Sequence, residues 1–260
     1  MYKHPLCSRS AVLHLCVILL LSLTLGLKVA VSASDQPTDE EIATASSLAA
    51  MLRASRTVVS LNQDLINNPN LGDKGFDGKA VLAQTLPIYQ KMTGTNALSV
   101  DPASREGRLL RAEMDAIAEV VDAYQPTLNM PGVGFKAFIP STFGRLVSEA
   151  FGNRMASEAE VKVTAPPAFI RNRKARPDAW ELQVIQERLL APDWPKGQFY
   201  AAVAENRGRP AFRMAMPEYY GASCLTCHGG PKGEIDLTGY PKEGGQEGDL
   251  GGVISITLYR

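Results

Sequence analysis

Residues that ligate metals or act as nucleophiles are scarce in this chain. Its 260 residues include three histidines and four cysteines. His4, His14, Cys7 and Cys16 all belong to the first stretch of sequence. Beyond them only Cys224, Cys227 and His228 remain. With one imidazole left there is no second histidine for a catalytic triad. A zinc site made of Cys and His alone is one ligand short, since structural zinc takes four. An excess of positive charge is also missing. The formal net charge is zero, which argues against nucleic acid or an anionic membrane surface as a partner. There are no low-complexity tracts, internal repeats or Walker-type phosphate loop, and Gly248-Asp249-Leu250-Gly251-Gly252 is far from one.

The scarce residues are concentrated in one string, Cys224-Leu225-Thr226-Cys227-His228. This is C-x-x-C-H, the attachment pattern of a c-type haem. Two thiols three positions apart suit thioether bonds to the two vinyl groups of one porphyrin. The adjoining histidine suits the iron. C-x-x-C also serves zinc sites and redox disulfides, but the first needs a fourth ligand and the second does not need the histidine. One covalent haem c is the cofactor expected, with Cys224 and Cys227 as anchors and His228 as proximal ligand.

The N-terminal segment points to the matching compartment. Lys3 and Arg9 precede a Leu-rich apolar run from Ala11 to Leu27. Val31-Ser32-Ala33 then offers the small residues of a signal-peptidase site. The run falls short of the ~20 apolar residues that span a bilayer, so residues 1–33 read as a cleaved secretory signal rather than an anchor. The expected location is exported and periplasmic, with a membrane contact only if the leader stays on. The leader holds Lys3, Arg9 and Lys28 and no acid. Its removal therefore takes three of the 27 basic residues and leaves a net charge of −3 against 27 acidic ones.

Residues 34–260 read as one domain, helical over about 38–156 and sheet-forming over about 157–260. Glu40 to Ile66 has the apolar spacing of a long amphipathic helix, with Thr38 and Glu41 as a capping box. Shorter helices follow at Lys79 to Met92, where Pro87 marks a kink, and from an Asp101 cap to about Tyr124, with Pro102 as first helical residue. A fourth spans Thr142 to Met155. Strands are expected at Val161 to Thr164, Phe199 to Ala204, Ala211 to Met216 and Val253 to Leu258, with a helix at Pro177 to Leu190 between the first two. Gly229 to Gly252 reads as a wrapping loop. The plan is α+β, a small antiparallel sheet behind long N-terminal helices.

Several ordered strings resemble those of the Tll0287-like haem-domain family. They are Lys162-Val163-Thr164-Ala165-Pro166-Pro167, then Arg171-Asn172-Arg173 with Pro177-Asp178-Ala179-Trp180-Glu181, and Arg213-Met214-Ala215-Met216-Pro217 leading into Cys224 to Pro231. Gly248-Asp249-Leu250-Gly251-Gly252 completes them. The resemblance implies a c-type haem held in a PAS-like sheet with helices packed across it, and a role in redox or gas sensing. Some members use a helix cysteine as second iron ligand. The corresponding position here falls near Gln84, where no cysteine stands.

The remaining site candidates follow from what a haem needs. Arg171, Arg173 and Arg213 can grip propionates through paired hydrogen bonds. Met214 and Met216 are the distal candidates, since methionine is a usual neutral iron ligand, although each reads more readily as core filler. An open distal side would admit a small gas. Enzyme activity is not expected, because a peroxidase wants a distal acid–base group. With no output domain of its own, the chain would signal through a protein partner. The competing reading is a small periplasmic electron-transfer cytochrome.

Overall fold

The computed structural model describes residues 35–260, which form one compact unit from Asp35 to Arg260. The leader lies outside the described residues. Four main helices come first: α1 (Asp39–Leu61), α2 (Gly78–Thr93), α3 (Arg105–Ala123) and α4 (Pro140–Met155). The capping box at Thr38 forms as the sequence suggests. Thr38 Oγ1 accepts from the Glu41 backbone, and the Glu41 carboxylate accepts from the Thr38 N–H at 2.9 Å. Pro87 lies inside α2 without ending it. The start of α3 differs from expectation. Ser104, not Asp101, is the cap, with Oγ accepting from Gly107 N. Asp101 instead closes the turn before the helix by accepting from Ala103 N at 2.9 Å. Two local turns competed for one helix start, and the one nearer the apolar stripe of α3 prevailed. Helix α4 begins two residues before Thr142, on Pro140, whose fixed φ suits a first helical position.

The sheet contains β1 (Ala159–Thr164), β2 (Tyr200–Asn206), β3 (Arg209–Tyr219) and β4 (Leu250–Tyr259). The order is β1-β4-β3-β2 and every pair is antiparallel. A two-residue turn, Arg207-Gly208, joins β2 to β3 with both residues at positive φ, the geometry that matches strand twist in a tight hairpin. Strand β3 runs past the expected Met216 to Tyr219. Beyond Ala215 it pairs only with β4, so Pro217 sits where no second neighbour asks for an N–H. Between β1 and β2, α5 (Ala179–Val184) runs into a π-helical turn, Ile185–Leu189. Asp178 and Glu181 cap it reciprocally, each accepting from the other's N–H at 2.8 Å.

Alternation along the strands divides the core. Phe212, Met214, Ile254, Ile256 and Leu258 face the four-helix layer and join Leu48, Leu52, Leu110, Ile117 and Phe143 in the main cluster. Ala215, Leu250 and Val253 point the other way, against Val184, Ile185 and Leu189, with Trp180 and Trp194 at the margin. The result is three layers: helices, sheet and a short helical cover. Helix α1 spans the sheet lengthwise. Arg260 beside Glu41 marks one end, and Glu218 beside Arg53 and Arg56 marks the other. No helix of the described residues is long and apolar enough to cross a membrane.

Candidate functional site

The Cys-x-x-Cys-His string lies where β3 leaves the sheet. Tyr220 follows the strand, Ala222–Cys224 makes a 3₁₀ turn, and α6 (Leu225–His228) makes a single helical turn. Cys224 stands at the N-cap of that turn, and Cys227 and His228 are its last two residues. Both thiols are free and half-buried. Burial, followed by the nearby Asp236 carboxylate, pushes the Cys227 thiol up, so it stays a neutral thiol at ordinary pH.

The wrapping loop folds back over this turn and is fastened in two ways. Its backbone is tied by Gly244 N donating to Gly229 O at 3.0 Å and Gly245 N donating to His228 O at 2.8 Å. Its side chains form an ionic chain. His228 Nδ1 lies 2.9 Å from Glu243 Oε2. Arg171 grips Glu243 with two parallel bonds, Nε to Oε1 at 2.7 Å and Nη2 to Oε2 at 3.0 Å. The same guanidinium donates to Asp236 Oδ2 at 2.6 Å and to the Cys227 carbonyl at 2.9 Å. Asp236, covered completely, also accepts from Thr238 N, Thr238 Oγ1 and Tyr240 N. Burial acts to raise both carboxyls, but these bonds outweigh it and hold Asp236 and Glu243 below the usual carboxylate range. Both therefore remain anions, and the chain from Asp236 to the imidazole is fixed.

An aromatic ring supports the histidine from the other side. Tyr220 stacks on His228 with centroids 5.0 Å apart and planes 18° apart. A Cβ on Gly251 would come 2.2 Å from the Tyr220 ring and one on Gly245 would come 2.8 Å, so only glycine fits at either place. Gly245 and Gly251 thus make room for Tyr220, whereas Gly233, Gly239, Gly244 and Gly248 turn the chain at positive φ. The Tyr220 hydroxyl is buried and has no partner among the described residues.

The other sequence candidates are spread over the molecule. Arg171 is part of the site, but as a clamp on the loop, with its donors committed to Glu243, Asp236 and the Cys227 carbonyl. Arg173 is exposed on a 3₁₀ turn, with no ion-pair partner among the described residues. Arg213 lies on the outer sheet face, 3 % exposed, and is paired with Asp178 at 2.6 Å. Trp180 stacks over its guanidinium at 4.4 Å. Around it is a polar cleft of about 470 Å³, also lined by Lys162 and Glu181. The Arg213 guanidinium is met by Asp178 and, at 3.7 Å, by Glu181, which corrects its reading as a propionate ligand. The methionines also need correction. Met214 is fully buried against the helices, and Met216 packs on the same cluster. Along β3 they stand six and four residues before Tyr220, roughly 20 and 14 Å at strand rise, and both read as core. Gln84 is exposed on α2, where its carbonyl accepts from Asn62.

Sequence reasoning missed Glu243, Asp236 and Tyr220. Asp236 and Glu243 fall between the family-like strings, and nothing in their spacing announces a partner 65 or 72 residues upstream.

Fold and site together define a small α+β protein with a Cys-x-x-Cys-His turn clamped at the end of an antiparallel sheet. The Tll0287-like family model matches residues 34–258, and the chain belongs to that family. No curated protein and no solved structure matches it.

Proposed function

We propose that this is an exported haem c protein, a redox- or gas-sensing module that reports to another protein. The observation that carries it is the state of His228. Its Nδ1 faces the Glu243 carboxylate at 2.9 Å. An anionic acceptor there keeps the proton on Nδ1 and leaves the Nε2 lone pair free to ligate. That is the tautomer a proximal iron ligand needs, and it directly follows two free thiols on one helical turn. The donor set therefore fits the group. Cys224 and Cys227 would hold it by thioethers, formed by adding each S–H across a vinyl double bond with no oxidant needed. His228 would bind the iron through Nε2, and of the three candidate arginines Arg173 is the one without an ion pair among the described residues and would be available to a propionate. Iron in that position would supply a one-electron redox centre. The all-antiparallel order, with first and last strands adjacent, supports a PAS-like sheet as the scaffold. Family membership supports a haem domain; sensing is what the resemblance implies, and a small electron carrier is the alternative.

The test is a pyridine haemochrome spectrum of the mature protein, made in a host that attaches haem c. A thioether-type α-band is expected, and replacing Cys224 and Cys227 together by Ala should abolish haem that survives denaturing gels. A wild-type protein that passes through such a host without that band would end the proposal.

A further inference from the structure

We propose that Glu243 is a positioning residue that sets the reduction potential of the site through the His228 imidazole. This rests on His228 ligating a haem iron, as proposed above. A carboxylate accepting from Nδ1–H raises electron density at Nε2 and makes the imidazole a stronger donor. A stronger donor favours ferric over ferrous iron and lowers the potential; axial ligation and the hydrogen bonds around it are the levers a protein has.

Three observations make Glu243 suited to this role. Its backbone is fixed to the motif, because Gly244 and Gly245, the next two residues, donate to the carbonyls of Gly229 and His228. Its carboxylate cannot turn away, because Arg171 holds both oxygens. Arg171 is itself anchored on the covered Asp236 and on the Cys227 carbonyl. Oε2 is shared between His228 and Arg171, so the guanidinium tempers the pull on the imidazole. The strength of the histidine as a donor is thus decided by a loop residue fifteen positions downstream. A partner or ligand that moved the loop would change the potential without touching the iron.

The test is spectroelectrochemical titration of the holo-protein and three variants. E243Q keeps the size and an oxygen for Arg171 but loses the anionic acceptor, and its potential is expected to rise. E243D keeps the charge but is one methylene short of Nδ1, and its potential should rise as well. Glu234 is a control on the same loop, half-exposed and 3.5 Å from Lys242. E234Q removes a charge without touching His228 and should stay at the wild-type value. If E243D keeps the wild-type potential, or if E234Q moves as far as E243Q, bulk charge sets the potential and the role of Glu243 is overturned. A normal α-band with an unmoved potential in E243Q overturns this role alone. An absent band in the wild type overturns the haem reading beneath it.

Discussion

The two ends of β3 are held by different forces. Around Phe212 and Met214 the strand is buried against helices, and shape and apolar area fix it. Beyond Pro217 the main apolar cluster ends, and the chain is ordered largely by ion pairs and close aromatic contact: Arg53 and Arg56 on Glu218, Tyr220 on His228, and Arg171 on Glu243 and Asp236. Apolar packing is non-directional and tolerates rearrangement at some cost. Charged hydrogen bonds fix distance and angle. The first region supplies stability, and the second supplies fixed geometry around an imidazole. Damage to the first should therefore lower global stability, and damage to the second should loosen the motif while the core stays folded.

Met214 gives the largest contrast. Replacing it by Ala removes a fully buried side chain and leaves a cavity, at a cost of about 2–5 kcal/mol. Chemical denaturation should show this as a lower midpoint, while the absorption spectrum of the holo-protein stays as in wild type. A changed iron spectrum with unchanged stability would reverse the assignment and restore Met214 to the distal side.

Asp236 tests the other region. Its cover is complete but thin, so removing it with D236A should cost roughly 2 kcal/mol, less than for a deep pair. The loss should be local, visible as faster proteolysis or amide exchange across residues 229–248 with a near-normal core. Acid should do the same to the wild type. The folded-state pKa of Asp236 lies below its ordinary value of 3.8. Its stabilising contribution is therefore complete above that value and fades as pH falls through the folded pKa. The loop should open in that window ahead of the helices, and simultaneous loss of both would merge the two regions into one.

Glu113 is the exception inside the packed region. It is fully buried on α3, and both carboxylate oxygens lack a partner among the described residues. Burial alone raises its pKa well above the ordinary carboxylate value. The protonated form suits the core, so stability is complete at low pH and falls as pH rises through that pKa. Replacement by Leu should add about 1–2 kcal/mol near neutrality, since no hydrogen bond is lost, and should remove the decline that begins above the ordinary carboxylate value. A destabilised E113L would mean that the carboxyl has a partner.

The same contrast explains what could be read from the sequence. Periodicity located every long helix and the four strands, because apolar spacing is what the packed region uses. The need of a propionate for cations puts Arg171 among the site candidates, and C-x-x-C-H gives the two thiols and the imidazole. Ion-pair geometry carries no period. Arg171, Asp236 and Glu243 are 65 and 72 residues apart in their two bonds, and only the fold brings them together. The arginines were accordingly assigned to a bound group when two of them were satisfied by the protein's own acids. Asp101 and Ser104 show the same limit at short range, since both residues cap and only the packing of α3 chooses between them.

The smallest expected effect lies at the start of the packed region and tests whether local hydrogen bonds matter there at all. Thr38 caps α1 with its hydroxyl, and Glu41 returns the bond while pairing with Arg260 at 2.7 Å. Thr38→Ala removes one acceptor for a helix N–H and should cost about 1 kcal/mol, with Ser at the same position restoring it. The bond to Arg260 ties the first turn of α1 to the end of β4, so fraying of that turn should reach the C-terminal residues. Amide exchange at Leu258 and Tyr259 in the Ala variant would detect it. Protection unchanged there, with the expected loss in midpoint, would confine the cap to its own helix.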